Sequence, residues 1–228
     1  MSVTSKQEHS HYAPETRAMS ILLVFALLIG TAGYWGPWIA HRAVALILIG
    51  QDMGEFVKFL PEVRSGTVQM FRQVFYLPPF CACCILALLA ASPTLRYQWL
   101  VRGLFLLAIL PLSLALLPPV FSIPVLKSEE FRLQVVGVIF CWALIPATLL
   151  LRRLPAVLQT ALIAVLGLLG ALLPLWQFLV ILPAVQSVYH APIHIGWGLI
   201  ATVCGFLIIA LLGIILTLQL VLTDMDHG

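Results

Sequence analysis

Charge is what this chain most lacks. Only 9% of its 228 residues are Asp, Glu, Lys or Arg, against 62% that are hydrophobic. A soluble domain carries about 25% charged residues and about 45–50% apolar ones. So few charges cannot cover a water-facing surface, which excludes a soluble globular protein. The net charge of +3, from 12 bases and 9 acids, is small and scattered. It provides no basic patch for nucleic acid, so none is expected as a partner.

Chemistry is scarce as well. There is no Walker A string for nucleotide phosphates, no zinc-finger spacing and no C-x-x-C-H for haem attachment. No acid or base falls near the centre of an apolar run, where ion-coupled pumps usually keep one. Lipidation motifs are missing. The polar start, MSVTSKQEHSHYAPETRA, is not the charged-then-apolar leader of a secreted protein, and YWGPW behind the first apolar run is not a cleavage site. The first span is therefore expected to be retained. Five cysteines, Cys81, Cys83, Cys84, Cys141 and Cys204, all lie in apolar runs and read as small buried hydrophobes. CACC at 81–84 contains a C-x-x-C spacing, but no second pair lies in a loop to exchange with it.

What is present is apolar length. A bilayer core about 30 Å thick takes about 20 helical residues. Six segments qualify: 18–40, 73–91, a run from Gly103 to Leu126, 135–151, 156–185 and 194–222. Each must be helical, because lipid offers the backbone no partner and no segment alternates as a barrel strand would. The expected fold is an all-α polytopic bundle of about six spans. Residues 1–17 read as a polar tail, 18–222 as a single membrane domain, and 223–228 as a second short tail. Glycines at 30, 33 and 36, at 167 and 170, and at 198 and 205, with Ala171 and Thr202, make seams for close helix approach, within one chain or between subunits. Prolines recur in the spans, and the third, with Pro111 and Pro118-Pro119, is the best candidate for a broken helix lining a cavity.

The charges that do exist collect in GYWGPWIAHRAVALILIGQDMGEFVKFLPEVR, residues 33–64. A helix from Ala18 to Leu60 would be about 64 Å long, so the chain must turn, and Gly36-Pro37 is the expected place. Residues 43–50 are too short to span. At 100° per residue, Asp52, Glu55, Lys58 and Glu62 share one side of a helix, while Met53, Phe56, Val57, Leu60 and Val63 share the other. Residues 43–66 are thus expected to form an interfacial amphipathic connection, with Glu55–Lys58 and Lys58–Glu62 at helical pair spacing. If the charged side turns inward, His41, Asp52 and Glu55 converge with His190 and His194 of VYHAPIHIGWG on the same membrane face. Such a set has the chemistry to bind a metal or act as acid and base. The plain alternative is interfacial residues in water, and no metal or cofactor is assigned. Among polar residues in the spans, Gln159, Gln177 and Gln219 stand out.

GPWIAHRA and GQDMGEFVKFLPE are distinctive but carry no resemblance to a known family. The leading expectation is a non-catalytic, permease-like or anchoring subunit of a larger membrane assembly, in contact with lipid and with other membrane or peripheral subunits. The alternatives are a small enzyme acting on a lipid or isoprenoid at the interface, and a haem- or quinone-binding subunit. The reading leans away from an enzyme. Bases divide six against six between the two membrane faces. Arg96, Arg102, Arg152 and Arg153 occupy short, acid-free connections, which places the termini in the cytoplasm and the chain in the plasma (inner) membrane.

Overall fold

Helix α1, Thr4–Tyr34, begins inside the segment expected as a polar tail and carries the first apolar run. The computed structural model describes residues 4–41, 46–95, 97–118, 122–189 and 192–225. Six of its helices are long and apolar enough to cross a membrane. The chain is a polytopic membrane protein built as an all-α bundle. The apolar spans are 17–34, 72–91, 99–116, 129–151, 156–189 and 197–225. The third is shorter than expected from the sequence. Helix α5, Trp99–Ser113, tightens to a 3₁₀ turn over Leu114–Leu116 and then stops before Pro118. Proline cannot donate to the next turn.

The chain turns after Tyr34, as Gly36-Pro37 predicts. Beyond the turn, the backbone departs from the expected interfacial stretch. Pro37–His41 (β1) and Leu46–Ile49 (β2) pair antiparallel as a hairpin. Residues 46–49 are Leu-Ile-Leu-Ile, so they suit a strand, and eight apolar residues are too few to span. Pairing gives the two segments partners for their backbone groups. The hairpin is tied to the last span by an Ile39–Ile195 bridge and by the Gly196 N–H donating to the Trp38 carbonyl at 2.8 Å. Trp38, fully buried, donates its indole N–H to the Gly33 carbonyl. Its ring meets Tyr34, Phe75 and Phe178 edge-on at 6.1–6.3 Å between centroids. The hairpin plugs one end of the bundle.

The amphipathic stretch is not one helix. It comprises α2 (Gly50–Phe56), a 3₁₀ turn at Val57–Phe59 and α3 (Pro61–Arg64). The break falls at Leu60, which is extended ahead of Pro61. Met53, Val57 and Leu60 are buried as the pattern requires. A 3₁₀ segment, Arg72–Tyr76, leads into α4 (Leu77–Ala91), with Pro78 and Pro79 in the first turn, where their missing N–H groups cost nothing. After α5 come a short α6 (Ile123–Leu126), α7 (Arg132–Leu151), α8 (Ala156–Tyr189) and α9 (Trp197–Met225).

Helix α4 is the centre of one half of the bundle and packs on α5, α7 and α8, while α9 lies between α1 and α8. The glycine seams close these contacts within the chain. A Cβ on Gly33 would lie 2.5 Å from the Thr202 nitrogen, one on Gly205 would lie 2.4 Å from the Gly30 nitrogen, and one on Gly167 would lie 2.7 Å from the Ala210 nitrogen. Thr217 links α9 to Thr160 of α8 at 2.8 Å.

Candidate functional site

Glu55 is the only member of the expected polar set that the structure brings into a cluster, among the described residues. Asp52 lies one helical turn earlier on α2, near enough to the Tyr34 phenol to act on it electrostatically. His194 is exposed on the approach to α9. His41 ends β1, but its side chain, like all of His190, lies outside the described residues. Among the described residues, no three His, Cys, Asp or Glu side chains are placed to hold a metal ion.

Around Glu55 a different constellation forms. Lys58 pairs with Glu55 at 2.5 Å, one helical turn back, and with Glu130 at 2.7 Å. Arg72 reaches the same Glu130 carboxylate at 2.7 Å, donates to the Glu130 main-chain carbonyl at 2.9 Å, and lies 3.6 Å from Glu55. Both cations lie over the Phe131 ring, 5.5 and 5.6 Å from its centroid. Two acids and two bases thus neutralise one another where three distant chain segments meet. Arg72 is the most enclosed, its side chain 15% exposed. Glu62 stays apart: the Ser187 hydroxyl donates to it at 2.6 Å and pulls its carboxyl below the ordinary range. The expected Lys58–Glu62 pairing is replaced by the one with Glu130.

Partial burial lowers the Lys58 ammonium's affinity for its proton, but hydrogen bonds to Glu130 and Glu55 outweigh this, and its pKa is raised. A group whose folded pKa lies above its unfolded value stabilises fully below the unfolded value and loses that effect as pH climbs through the folded one. Stability contributed by Lys58 should therefore hold from neutrality to about 10.5 and fall at higher pH. Melting curves of the wild type and Lys58→Met should differ at neutral pH and converge in alkali. A constant difference would exclude the charge as its cause.

Directly beneath this cluster, between α4 and α7, is a cleft of about 370 Å³. Gln73, Tyr76 and Gln134 supply its polar atoms, and Leu77, Phe80, Leu116, Leu133, Val136, Gly137 and Phe140 its walls. Each position has a local reason. Tyr76 rises from the 3₁₀ turn that precedes α4 and donates its hydroxyl to Glu55 at 3.3 Å. Gly54 lets it approach, since a Cβ there would lie 2.8 Å from the Tyr76 oxygen. Leu116 enters because α5 stops at the following residues, and the freed Leu117 carbonyl accepts from Gln51 at 3.0 Å. The third span thus ends beside the cleft, with Leu116 in its wall. Phe80 and Phe140 stack across the cleft at 5.6 Å and 30°. Leu133, Val136 and Phe140 are all about half exposed or more, on the outer face of α7.

Gln134 is the anomaly. It is 4% exposed, and neither its amide oxygen nor its nitrogen has a partner in hydrogen-bonding geometry. The Tyr76 phenol lies within reach of a side-chain hydrogen bond with it, short of well-formed geometry. Even one such bond would leave most of an amide's two donors and two acceptor lone pairs unused. A polar group enclosed without its partners is costly, which makes Gln134 the residue of this cleft wall that most needs an account.

Sequence reasoning missed Gln134 because it sits one residue ahead of the apolar run that starts at Val135, in RLQVVG. The signal was its place within one turn of the run. The glutamines it did single out in the fifth span are structural. Gln177 accepts from the Phe71 N–H at 3.5 Å. Gln159 donates to the Leu151 and Leu154 carbonyls, closing the end of α7. Comparison with protein-family models, with curated proteins and with solved structures yields no match.

Proposed function

We propose that this chain is a non-catalytic membrane component that holds a lipid-soluble amphiphile in the α4–α7 cleft, as part of a larger membrane assembly. The observation that carries this reading is the unsatisfied Gln134 amide in an otherwise apolar cleft bordered by the lipid-facing side chains of α7. Small-molecule sites are typically apolar concavities of ~300–1,000 Å³ with a few placed polar groups. The four neighbouring charges are spent on one another and leave no free acid–base pair at the cleft among the described residues, which favours holding a ligand over transforming it.

Gly137 gives the test. A Cβ there meets only the Leu116 Cδ1, at the ordinary contact distance of 3.4 Å. Gly137→Ala should fold and bind as wild type, whereas Gly137→Phe should fill the cleft. Wild type reconstituted from native membranes should retain an extractable amphiphile near one per chain by native mass spectrometry, and Gly137→Phe should lose it. Equal retention in both variants would refute the reading. Co-purification in mild detergent tests the assembly.

For location, Arg152 and Arg153 in the short α7–α8 connection, with Arg102 in the first turn of α5, support termini in the cytoplasm of a plasma (inner) membrane. The hairpin, the charge cluster and the cleft mouth would then face the outside. A cysteine introduced at exposed Glu129 should react with an impermeant maleimide added to intact cells, and protection there would reverse the orientation.

A further inference from the structure

Resting on the amphiphile reading, we infer that the ligand class is a quinone: a neutral, carbonyl-bearing ring on a single long apolar chain. Three observations point to it. The head must be uncharged, because the groups nearest the polar end, Glu55, Lys58, Arg72 and Glu130, already form a closed set of two acids and two bases with contacts of 2.5–3.6 Å. A phosphate or an ammonium head would have to open that set or reach the exposed Arg132 or Glu129 on the adjoining turn, and breaking a formed, partly enclosed pair is expensive.

The cleft instead offers neutral hydrogen-bonding groups. The Gln134 amide has an unpartnered donor and an unpartnered acceptor. Tyr76 gives its proton to Glu55, and its phenol oxygen, which is also within reach of the Gln134 amide, keeps a further lone pair for a ligand. A ring carbonyl accepts from the Gln134 nitrogen. The hydroxyl of the reduced form donates to the Gln134 or Tyr76 oxygen. Both redox forms of a quinone are thus accommodated by groups that carry no charge, and binding alone is inferred.

The walls suit a flat ring. Phe80 and Phe140 are stacked on one another with centroids 5.6 Å apart, which leaves no room between them, so a bound ring would lie against the edge or outer face of the pair. The volume of about 370 Å³ admits one ring and the start of one chain. The exposed Leu133 and Val136 continue an apolar path into the bilayer for the remainder.

The test uses the full chain in uncharged phosphatidylcholine nanodiscs with tritiated decylbenzoquinone. Saturable binding near one per chain is expected. It should be displaced by unlabelled decylbenzoquinone, but not by geranylgeraniol or dioleoylglycerol at the same concentration. Gln134→Leu should weaken it roughly tenfold, about the worth of one buried hydrogen bond, Gly137→Phe should abolish it, and Gly103→Ala, on α5 outside the cleft lining, should preserve it. Displacement by the prenol or the diacylglycerol, sensitive to Gly137→Phe, would overturn the quinone assignment and leave the amphiphile reading standing. Saturable quinone binding unaffected by Gly137→Phe would move the site elsewhere and overturn the assignment. Absence of saturable quinone binding would overturn the quinone assignment, and absence of any extractable amphiphile from the wild type by native mass spectrometry would overturn both.

Discussion

Gln134→Leu should yield a protein that is more stable and binds worse. In most proteins, replacing a buried polar side chain costs stability because its partners are orphaned. Here the side chain is itself the orphan: its amide oxygen and nitrogen lack partners, and it is enclosed by α4, α7 and the end of α5. Leaving a buried donor or acceptor unmade costs about 1–3 kcal/mol, and leucine has similar bulk with no polar atom. The gain on substitution should be of that order, read as a higher melting temperature of the empty protein in detergent or nanodiscs. The Tyr76 contact sets the lower end of the range, since a weak bond there would be lost. Together with weakened ligand binding, the result would be a trade of function for stability. If Gln134→Leu is instead less stable than the wild type, the amide is satisfied within the fold and the cleft loses its main mark as a site.

Gly205→Ala should damage the fold severely for the addition of one methyl group. That carbon would lie 2.4 Å from the Gly30 nitrogen, 2.6 Å from its Cα and 2.7 Å from the Ala26 carbonyl. All three are main-chain atoms of α1, so no side chain can rotate away, and the two helices must separate along their shared seam. Overpacking of this kind costs about 1–3 kcal/mol, and here the larger value is expected because dispersion between close backbones is what holds helices together in lipid. The control is Gly103→Ala on α5, where nothing lies within 4 Å of the new carbon. There the change should stabilise by up to about 1 kcal/mol, the intrinsic helical preference for alanine over glycine. Opposite signs for the same substitution in two spans would separate packing from propensity. Equal effects would argue that α1 and α9 do not meet as described.

The positions of the spans were legible because hydropathy and the length of a helix in lipid leave few choices. The turn at Gly36-Pro37, the glycine seams and the Glu55–Lys58 pair followed from local rules as well. What could not be read was anything set by contacts across the chain. The hairpin strand Leu46–Ile49 looked like a short interfacial piece because its partner lies on the far side of a turn and its anchor, Gly196, comes only just before the last span. Glu130 looked like a solvated loop acid, and only the fold sets it against Lys58 and Arg72. Gln134 fell outside a window drawn by hydropathy because a glutamine at the edge of a run reads as water-facing. In the structure, the 3₁₀ turn at Glu129–Phe131 tucks that edge inward.

The pairing of the first span with the last has a consequence for how the protein is made. Gly30, Gly33 and Gly36 meet Phe206, Thr202 and Gly198, and the Trp38 carbonyl receives the N–H of Gly196. Every one of those partners leaves the ribosome after five spans have already been synthesised. Until then the glycine seam of α1 lacks its partner, and the hairpin lacks its backbone anchor at Gly196. The order of synthesis therefore makes α9 the closing piece: the aromatic cluster around Trp38 can form without it, whereas the α1 seam and the backbone tie of the hairpin wait on its arrival. A nascent chain halted before Trp197 is an unfinished membrane protein with an open seam along α1.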